Sequence, residues 1–255
     1  MKFATWNVNS IRARLDRVLE WLDRVAPDVL CMQETKVTDA LFPREPFERR
    51  GYRVMAFGQK TYNGVAIASR RPLESTERGF AKHCADPGCR LVAATTADVR
   101  VVNVYVPNGR AVDSPHFAAK LEWLRSLRRY LDDVARPTEA ILVCGDFNVA
   151  PEDRDVYAPE LFRNQVHCHP EERKALVEIA EFGLVDVFRR HHAESGLYSW
   201  WDYRLGAFHR NWGLRIDHIW ASESLAARCT SVSIDREARK GKQPSDHAPV
   251  VVEIA

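Results

Sequence analysis

The run Ala140-Ile141-Leu142-Val143-Cys144 ends abruptly in Gly145-Asp146-Phe147-Asn148, and this junction constrains what the rest of the chain can form. A short β-branched run bounded by glycine is apolar on both faces and too brief for a core helix, so it reads as a buried central strand. In open α/β sheets ligands are met beyond the carboxyl ends of the strands, which puts Asp146 and Asn148 where chemistry would occur. Gly-Asp-Phe-Asn alone could be a plain turn, because Gly, Asp and Asn each favour turns for local backbone reasons. Recurrence argues against that. Trp6-Asn7, Gln33-Glu34, Ile216-Asp217-His218 and Ser245-Asp246-His247 are expected to be polar strand ends of the same kind.

Before this junction the chain begins by alternating strand and helix. Residues 2–8 read as a strand, and Ile11, Leu15, Val18, Leu19, Leu22 and Val25 then recur at helical spacing until Pro27-Asp28. Residues 29–32 follow as a second buried strand. The opening is therefore a β-α-β unit with parallel strands, which brings Asn7 and Glu34 to one edge. Residues 53–58, 65–69, 91–96 and 100–106 are further strands, and Tyr105 stands at the carboxyl end of the last. Phe117, Leu121, Leu124, Leu127, Tyr130 and Leu131 form the apolar face of a helix within 113–134. It also carries Lys120, Glu122, Arg125, Arg128 and Arg129, and its arginines read as a solvated face. A loop runs from Asn148 to His169, a helix spans 171–182, and 196–212 is an aromatic loop; 215–221, 229–235 and 248–254 close the chain as strands.

With 255 residues, 45% hydrophobic and 28% charged, the chain can bury a large core, and no linker or repeat divides it, so 1–255 reads as one domain. No apolar stretch has the character of a secretion signal or the length to cross a bilayer, which predicts a cytoplasmic protein with no membrane partner. The six cysteines lack CxxC spacing, and Cys31 and Cys144 fall inside apolar strands, so disulfides are not expected. His83, Cys84 and Cys89 lack zinc-finger spacing and read as loop. A net charge of +2 does not by itself announce a polyanionic partner.

Strands that alternate with helices early and pair directly late predict an α/β architecture of two mixed β-sheets packed face to face and flanked by helices. The ordered motifs Thr5-Trp6-Asn7-Val8-Asn9, Gln33-Glu34, Asn103-Val104-Tyr105, Gly145-Asp146-Phe147-Asn148, Leu214-Arg215-Ile216-Asp217-His218 and Ser245-Asp246-His247 resemble the exonuclease III family of DNA-repair nucleases, within the endonuclease/exonuclease/phosphatase superfamily. The resemblance implies a four-layered α/β sandwich and a divalent cation, Mg²⁺ or alternatively Mn²⁺. It implies hydrolysis of double-stranded DNA 5′ to abasic sites or at 3′ ends, by a monomer.

The resemblance also implies roles. Glu34 is the principal metal ligand, a hard carboxylate suited to Mg²⁺. Asn7 and Asp246 are its neighbours, and Asp146, Asn148 and His247 complete the metal surroundings. Asp146 activates or orients the attacking water, Asn148 holds water and substrate in line, and Tyr105 hydrogen-bonds the phosphate. His247 contacts a nonbridging oxygen while Asp217 fixes its tautomer and favours its cation. Asn9 stands where the family often has Asp, and a neutral amide weakens the case for coordination there. Trp200, Leu214 and Ile216 match a pocket for a base-less sugar, with core packing as the alternative. Arg236, Arg239, Lys240 and Lys242 either bind flanking phosphates or form a solvated loop. His167, in the loop beyond Asn148, is expected to reach the pocket rim. There it would take volume that an extruded sugar needs while a 3′ terminus could still enter; the alternative is an exposed loop histidine. Two rivals to the nuclease reading are a phosphoesterase acting on a lipid or inositol phosphate, and a non-catalytic DNA-binding module.

Overall fold

The computed structural model describes residues 1–80 and 88–255. Its strands run, in order, β1 (Lys2–Asn7), β2 (Val29–Gln33), β3 (Arg53–Phe57), β4 (Val65–Ser69), β5 (Glu74–Arg78), β6 (Leu91–Thr96) and β7 (Val99–Tyr105). They continue with β8 (Ile141–Asp146), β9 (Leu184–Asp186), β10 (Trp200–Trp201), β11 (Gly213–Leu214), β12 (Asp217–Ser222), β13 (Cys229–Ile234) and β14 (Val250–Ile254). One sheet has the order β13-β14-β1-β2-β4-β3 and the other β5-β6-β7-β8-β12-β9, while β10 and β11 form a separate two-stranded ribbon.

Each sheet has a parallel pair at its centre, β1 with β2 and β7 with β8. Parallel neighbours need a crossover. The helices Ile11–Val25 and Pro115–Val134 supply it, and each covers the outer face of its own sheet. Ser10 and Ser114 cap them by accepting from the backbone N–H groups of Ala13 and Phe117. Between the sheets lies a core that includes Phe3, Cys31 and Ile67 from one side and Val101, Leu142 and Ile219 from the other. The result is the expected order of helix, sheet, sheet, helix.

Several local features differ from the expectation. Ile216-Asp217-His218 and Ser245-Asp246-His247 do not leave strands; Asp217 opens β12, which runs antiparallel to β8 with Asp217 opposite Asp146, and Ser245 to His247 precede β14, antiparallel to β1. Antiparallel neighbours bring their amino ends to the edge where parallel strands end, so the residues converge as expected by the opposite route. The strand β5, Glu-Ser-Thr-Glu-Arg, is an exposed sheet edge with no apolar alternation to reveal it. The loop after Asn148 contains the 3₁₀ turn Asp153–Asp155 and the helix Pro159–Phe162, and the aromatic stretch contains β10 and the helix Ala207–Arg210. These pieces are too short for periodicity to register. Cys31, Cys144, Cys168 and Cys229 are free thiols, and no helix among the described residues is long and apolar enough to cross a membrane. His83 and Cys84 lie outside the described residues.

Gly145 explains why the central strand ends as it does. It lies at φ +146°, and a Cβ there would sit 1.9 Å from the carbonyl oxygen of Val104 on the neighbouring parallel strand. Only glycine lets β8 approach β7 this closely just before Asp146. We expect Gly145→Ala to lose roughly 1–3 kcal/mol or more of stability, read as a lower urea midpoint. Gly51→Ala, where a Cβ meets nothing within 4 Å, should lose less.

Candidate active site

The carboxyl ends of β1, β2, β7 and β8 deliver Asn7, Glu34, Tyr105 and Asp146 to one edge of the sandwich, and the amino end of β12 and the segment before β14 add Asp217, Asp246 and His247. Asn7 joins the first two carboxylates: its Nδ2 donates to Glu34 Oε1 and to Asp146 Oδ2, each at 2.9 Å. Asp146 Oδ1 accepts the backbone N–H of Asn148 at 2.9 Å. Asn148 takes a left-handed φ of 52°, and its side chain donates to Val106 O at 2.9 Å and accepts from Asn108 Nδ2 at 3.2 Å. Ligand atoms of Glu34, Asp146 and His247 all lie within 4.8 Å of one another.

His247 is 4% exposed. Its Nδ1 is 2.8 Å from Asp217 Oδ2 and its Nε2 is 3.8 Å from Asp146 Oδ2. The backbone is pinned as well: Trp6 Nε1 donates to His247 O at 3.0 Å, and Ser245 Oγ, which donates to Asn7 O at 2.7 Å, accepts from His247 N at 3.2 Å. Burial favours the neutral ring, but Asp217 and then Asp146 outweigh it and raise the imidazole pKa to about 10. Asp146 is raised to about 7, first by burial, with Asp217 and Glu34 adding to it and His247 and Asn7 opposing. Tyr105 is half-buried, with Arg90 over its ring at 4.7 Å, and burial followed by Glu34 and Asp146 holds its phenol protonated.

The other expected residues divide. Asp246 stands one step aside, its Oδ1 accepting from Asn9 Nδ2 at 2.9 Å and its Oδ2 from Trp200 Nε1 at 3.0 Å; burial opposes its charge, but His247 and these two donors prevail and lower its pKa. Trp200, Leu214 and His167 line a cavity of about 770 Å³ together with Tyr157, Phe162 and Trp212. Ile216 is buried behind that wall with Ala150, Val156 and Cys168. His167, at φ 76°, sets its ring 6.5 Å from the Trp200 ring and its Nδ1 2.6 Å from Asn148 O. Among the basic residues before Ser245, Arg239 is 6% exposed, packs over Tyr203 and Phe208 and donates to Trp201 O, so it braces the loop. Arg236 lies over the Trp201 ring, Lys240 pairs with Glu237, and Lys242 is exposed.

The endonuclease/exonuclease/phosphatase family matches residues 4–247. The chain belongs to this family. It is 35% identical, over the full length of both chains, to exodeoxyribonuclease III of Haemophilus influenzae. Among solved structures, a 3′ phosphatase from Neisseria, NExo, bound to a product DNA hairpin, is 41% identical with a TM-score of 0.97, covering 100% of this chain and 99% of that one. An AP endonuclease from Archaeoglobus fulgidus is 42% identical with a TM-score of 0.94 over the same shares. The protein is thus a DNA-repair nuclease that works by hydrolysis and binds DNA. Its family is metal-dependent, and its site holds the carboxylates that a metal requires.

Motif reading overlooked several residues that contact or support the candidate site. Lys36 Nζ bridges Glu34 Oε2 at 2.7 Å and Asn9 Oδ1 at 2.6 Å, and its nearness to Gln33-Glu34 could have signalled it. Ser199 Oγ accepts from the backbone N–H groups of Ile216 and Asp217, at 3.1 and 3.0 Å, from a stretch with no polar motif. Lys120 is fully buried beneath Asn148, and nothing in its helix spacing marks it.

Because Asp217 is the leading charge that keeps His247 cationic, Asp217→Asn should lower the imidazole pKa by about 1–3 units, followed by NMR titration of the ring. The alkaline fall in nuclease activity should move to lower pH with it, since the cationic form is the one lost as pH rises.

Proposed function

We propose that residues 1–255 form one Mg²⁺-dependent nuclease domain that acts as a cytoplasmic monomer on double-stranded DNA. It hydrolyses the phosphodiester 5′ to abasic sites and at 3′ ends, with 3′ ends preferred. The observation that carries this reading is the convergence of Glu34, Asp146 and the Asp217–His247 pair beside the apolar cavity of Trp200 and Leu214. Binding alone needs no convergent carboxylates, which repel phosphate unless a cation is present.

The residues fit a hard divalent cation: two carboxylates are held close together by the Asn7 amide, and their mutual repulsion helps to raise Asp146. Glu34 and Asp146 would hold Mg²⁺, or Mn²⁺ in its place, with Asn7, Asn148 and Asp246 around them. His247, engaged by Asp217 and cationic, is better suited to an anion than to direct ligation. Bound there, the ion would neutralise phosphate charge and acidify water.

The chain's own groups supply the rest. Asp146, with both oxygens oriented by Asn7 and Asn148, is placed to orient water or take its proton. Asn148 has one amide N–H committed to Val106 O and the other available to water or substrate. The His247 imidazolium and the protonated Tyr105 phenol offer donors to nonbridging oxygens, where charge grows in the transition state. Trp200 and Leu214 give a base-less sugar an apolar wall, with Ile216 supporting it from behind.

His167 lines that cavity and is anchored to Asn148 O, so it narrows the space for a sugar turned out of a continuous strand. A 3′ terminus carries no downstream strand to bend and enters past it. The DNA-bound NExo 3′ phosphatase supports this preference by similarity.

The test is the purified protein with Mg²⁺ on an internal abasic duplex, a 3′-phosphate nick and an undamaged recessed 3′ end, assayed in parallel. All three activities should vanish in EDTA, and Glu34→Gln should fold normally yet lose several orders of magnitude in kcat/KM. Undiminished activity of Glu34→Gln would remove Glu34 from the metal site, and undiminished activity in EDTA would remove the metal from the reaction. His167→Gly should raise incision at internal abasic sites relative to 3′-phosphate removal, and an unchanged ratio would make this loop a spectator.

A further inference from the structure

Lys120 lies on the helix Pro115–Val134 with a side chain that is 0% exposed. An ammonium buried in protein is costly unless it is paired and fully hydrogen-bonded, and a leucine would serve this helix face as well. Here each of its N–H groups has an acceptor: Asn148 O at 2.6 Å, Asn108 O at 3.2 Å and the carboxylate of Glu172. Glu172 is equally buried. Its other oxygen accepts the backbone N–H of His169 at 3.1 Å, closing the cap of the helix Pro170–Ala180.

The two carbonyls that Lys120 grips belong to the loops that carry the reaction. Asn148 and His167 both adopt left-handed φ angles, 52° and 76°, a region uncommon for residues with a Cβ although Asn and His enter it more readily than most. The carbonyl of Asn148 meets Lys120 Nζ and His167 Nδ1, each at 2.6 Å. A carbonyl only accepts, so His167 must carry its proton on Nδ1. That leaves Nε2 as the acceptor for Asn108 Nδ2 at 3.4 Å, and the same Asn108 amide donates to Asn148 Oδ1.

We propose that Lys120, neutralised by Glu172, is a positioning residue: its ammonium clamps the Asn108 and Asn148 carbonyls, which aims the Asn148 carboxamide at the substrate and fixes His167 as the Nδ1–H tautomer. Lys120 touches neither substrate nor metal and acts through Asn148. Its kinetic effect rests on the role proposed above for Asn148, whereas the tautomer does not.

Two variants and one spectrum test it. Lys120→Met combined with Glu172→Gln removes both charges but keeps volume and the cap acceptor. Lys120→Arg keeps the charge but replaces three radiating donors with a planar fork. In ¹⁵N spectra the wild-type His167 ring should show the Nδ1–H pattern, and the double variant should lose it. For 3′-phosphate removal kcat should fall roughly 10- to 100-fold in both variants, with KM within about threefold and cooperative melting retained. An Nε2–H pattern in wild type overturns the assignment whatever the variants do. A folded double variant with wild-type kcat and an unchanged ring pattern overturns the positioning role, and failure of both variants to fold assigns Lys120 to structure alone. Inactive wild-type protein would instead sink the nuclease reading and leave the tautomer result standing.

Discussion

The seam between the two sheets is crossed by directional polar contacts, and a pair of buried amides makes most of them. Gln33 on β2 donates through Nε2 to Asn103 Oδ1 on β7 at 2.7 Å and to Thr5 Oγ1 on β1 at 2.9 Å. Asn103 donates back through Nδ2 to the carbonyls of Met32 and Ala66, at 3.0 and 2.9 Å. Two apolar faces can slide past each other at little cost, because burial is not directional. Hydrogen bonds among buried amides are directional, and leaving them unmade is expensive. The amides therefore fix one offset between the sheets, and in that offset the ends of β1 and β2 face the ends of β7 and β8. Asn7 can then span from Glu34 to Asp146, one carboxylate from each sheet.

Bringing acids together in a low-dielectric cleft is unfavourable, and the site answers this with neutral bridges and internal cations. Asn7 and Asn9 separate the carboxylates with amide donors, Lys36 faces Glu34, and His247 stands between Asp146 and Asp217. Even with His247 and Asn7 beside it, burial and the neighbouring carboxylates keep the Asp146 pKa raised. The same economy runs behind the pocket. Arg215 lies between the wall residue Leu214 and Ile216 behind it, and it is tied by Nε to Asp155 at 2.5 Å and by Nη2 to Asp186 at 2.8 Å, which anchors the wall to the sheet.

Much of this was legible because it depends on periodicity and on the ends of apolar runs. The buried strands β1, β2, β4, β6, β7 and β8, the long helices and the residues that converge at the sandwich edge all follow from such patterns. The edge strand Glu74–Arg78 was not legible, since an exposed edge has no apolar alternation. Nor was the direction in which Asp217 and His247 enter their strands, because pattern locates a strand without orienting it. Lys120 reads as one more charge on an amphipathic helix, and only its tertiary partners reveal a buried cation. Ile216 and Trp200 look alike in sequence, yet one lines the cavity and the other supports it from behind.

The dependence of the site on the amide seam is tested most directly by single-turnover cleavage of a 3′-phosphate nick with Gln33→Leu/Asn103→Leu. The double replacement keeps the seam filled but removes its direction. A protein that melts cooperatively, binds DNA with a Kd within about threefold of wild type and cleaves roughly 10- to 100-fold more slowly is the predicted result. A folded double variant that cleaves at the wild-type rate would contradict the account, because the two sheets would then hold their alignment without these amides.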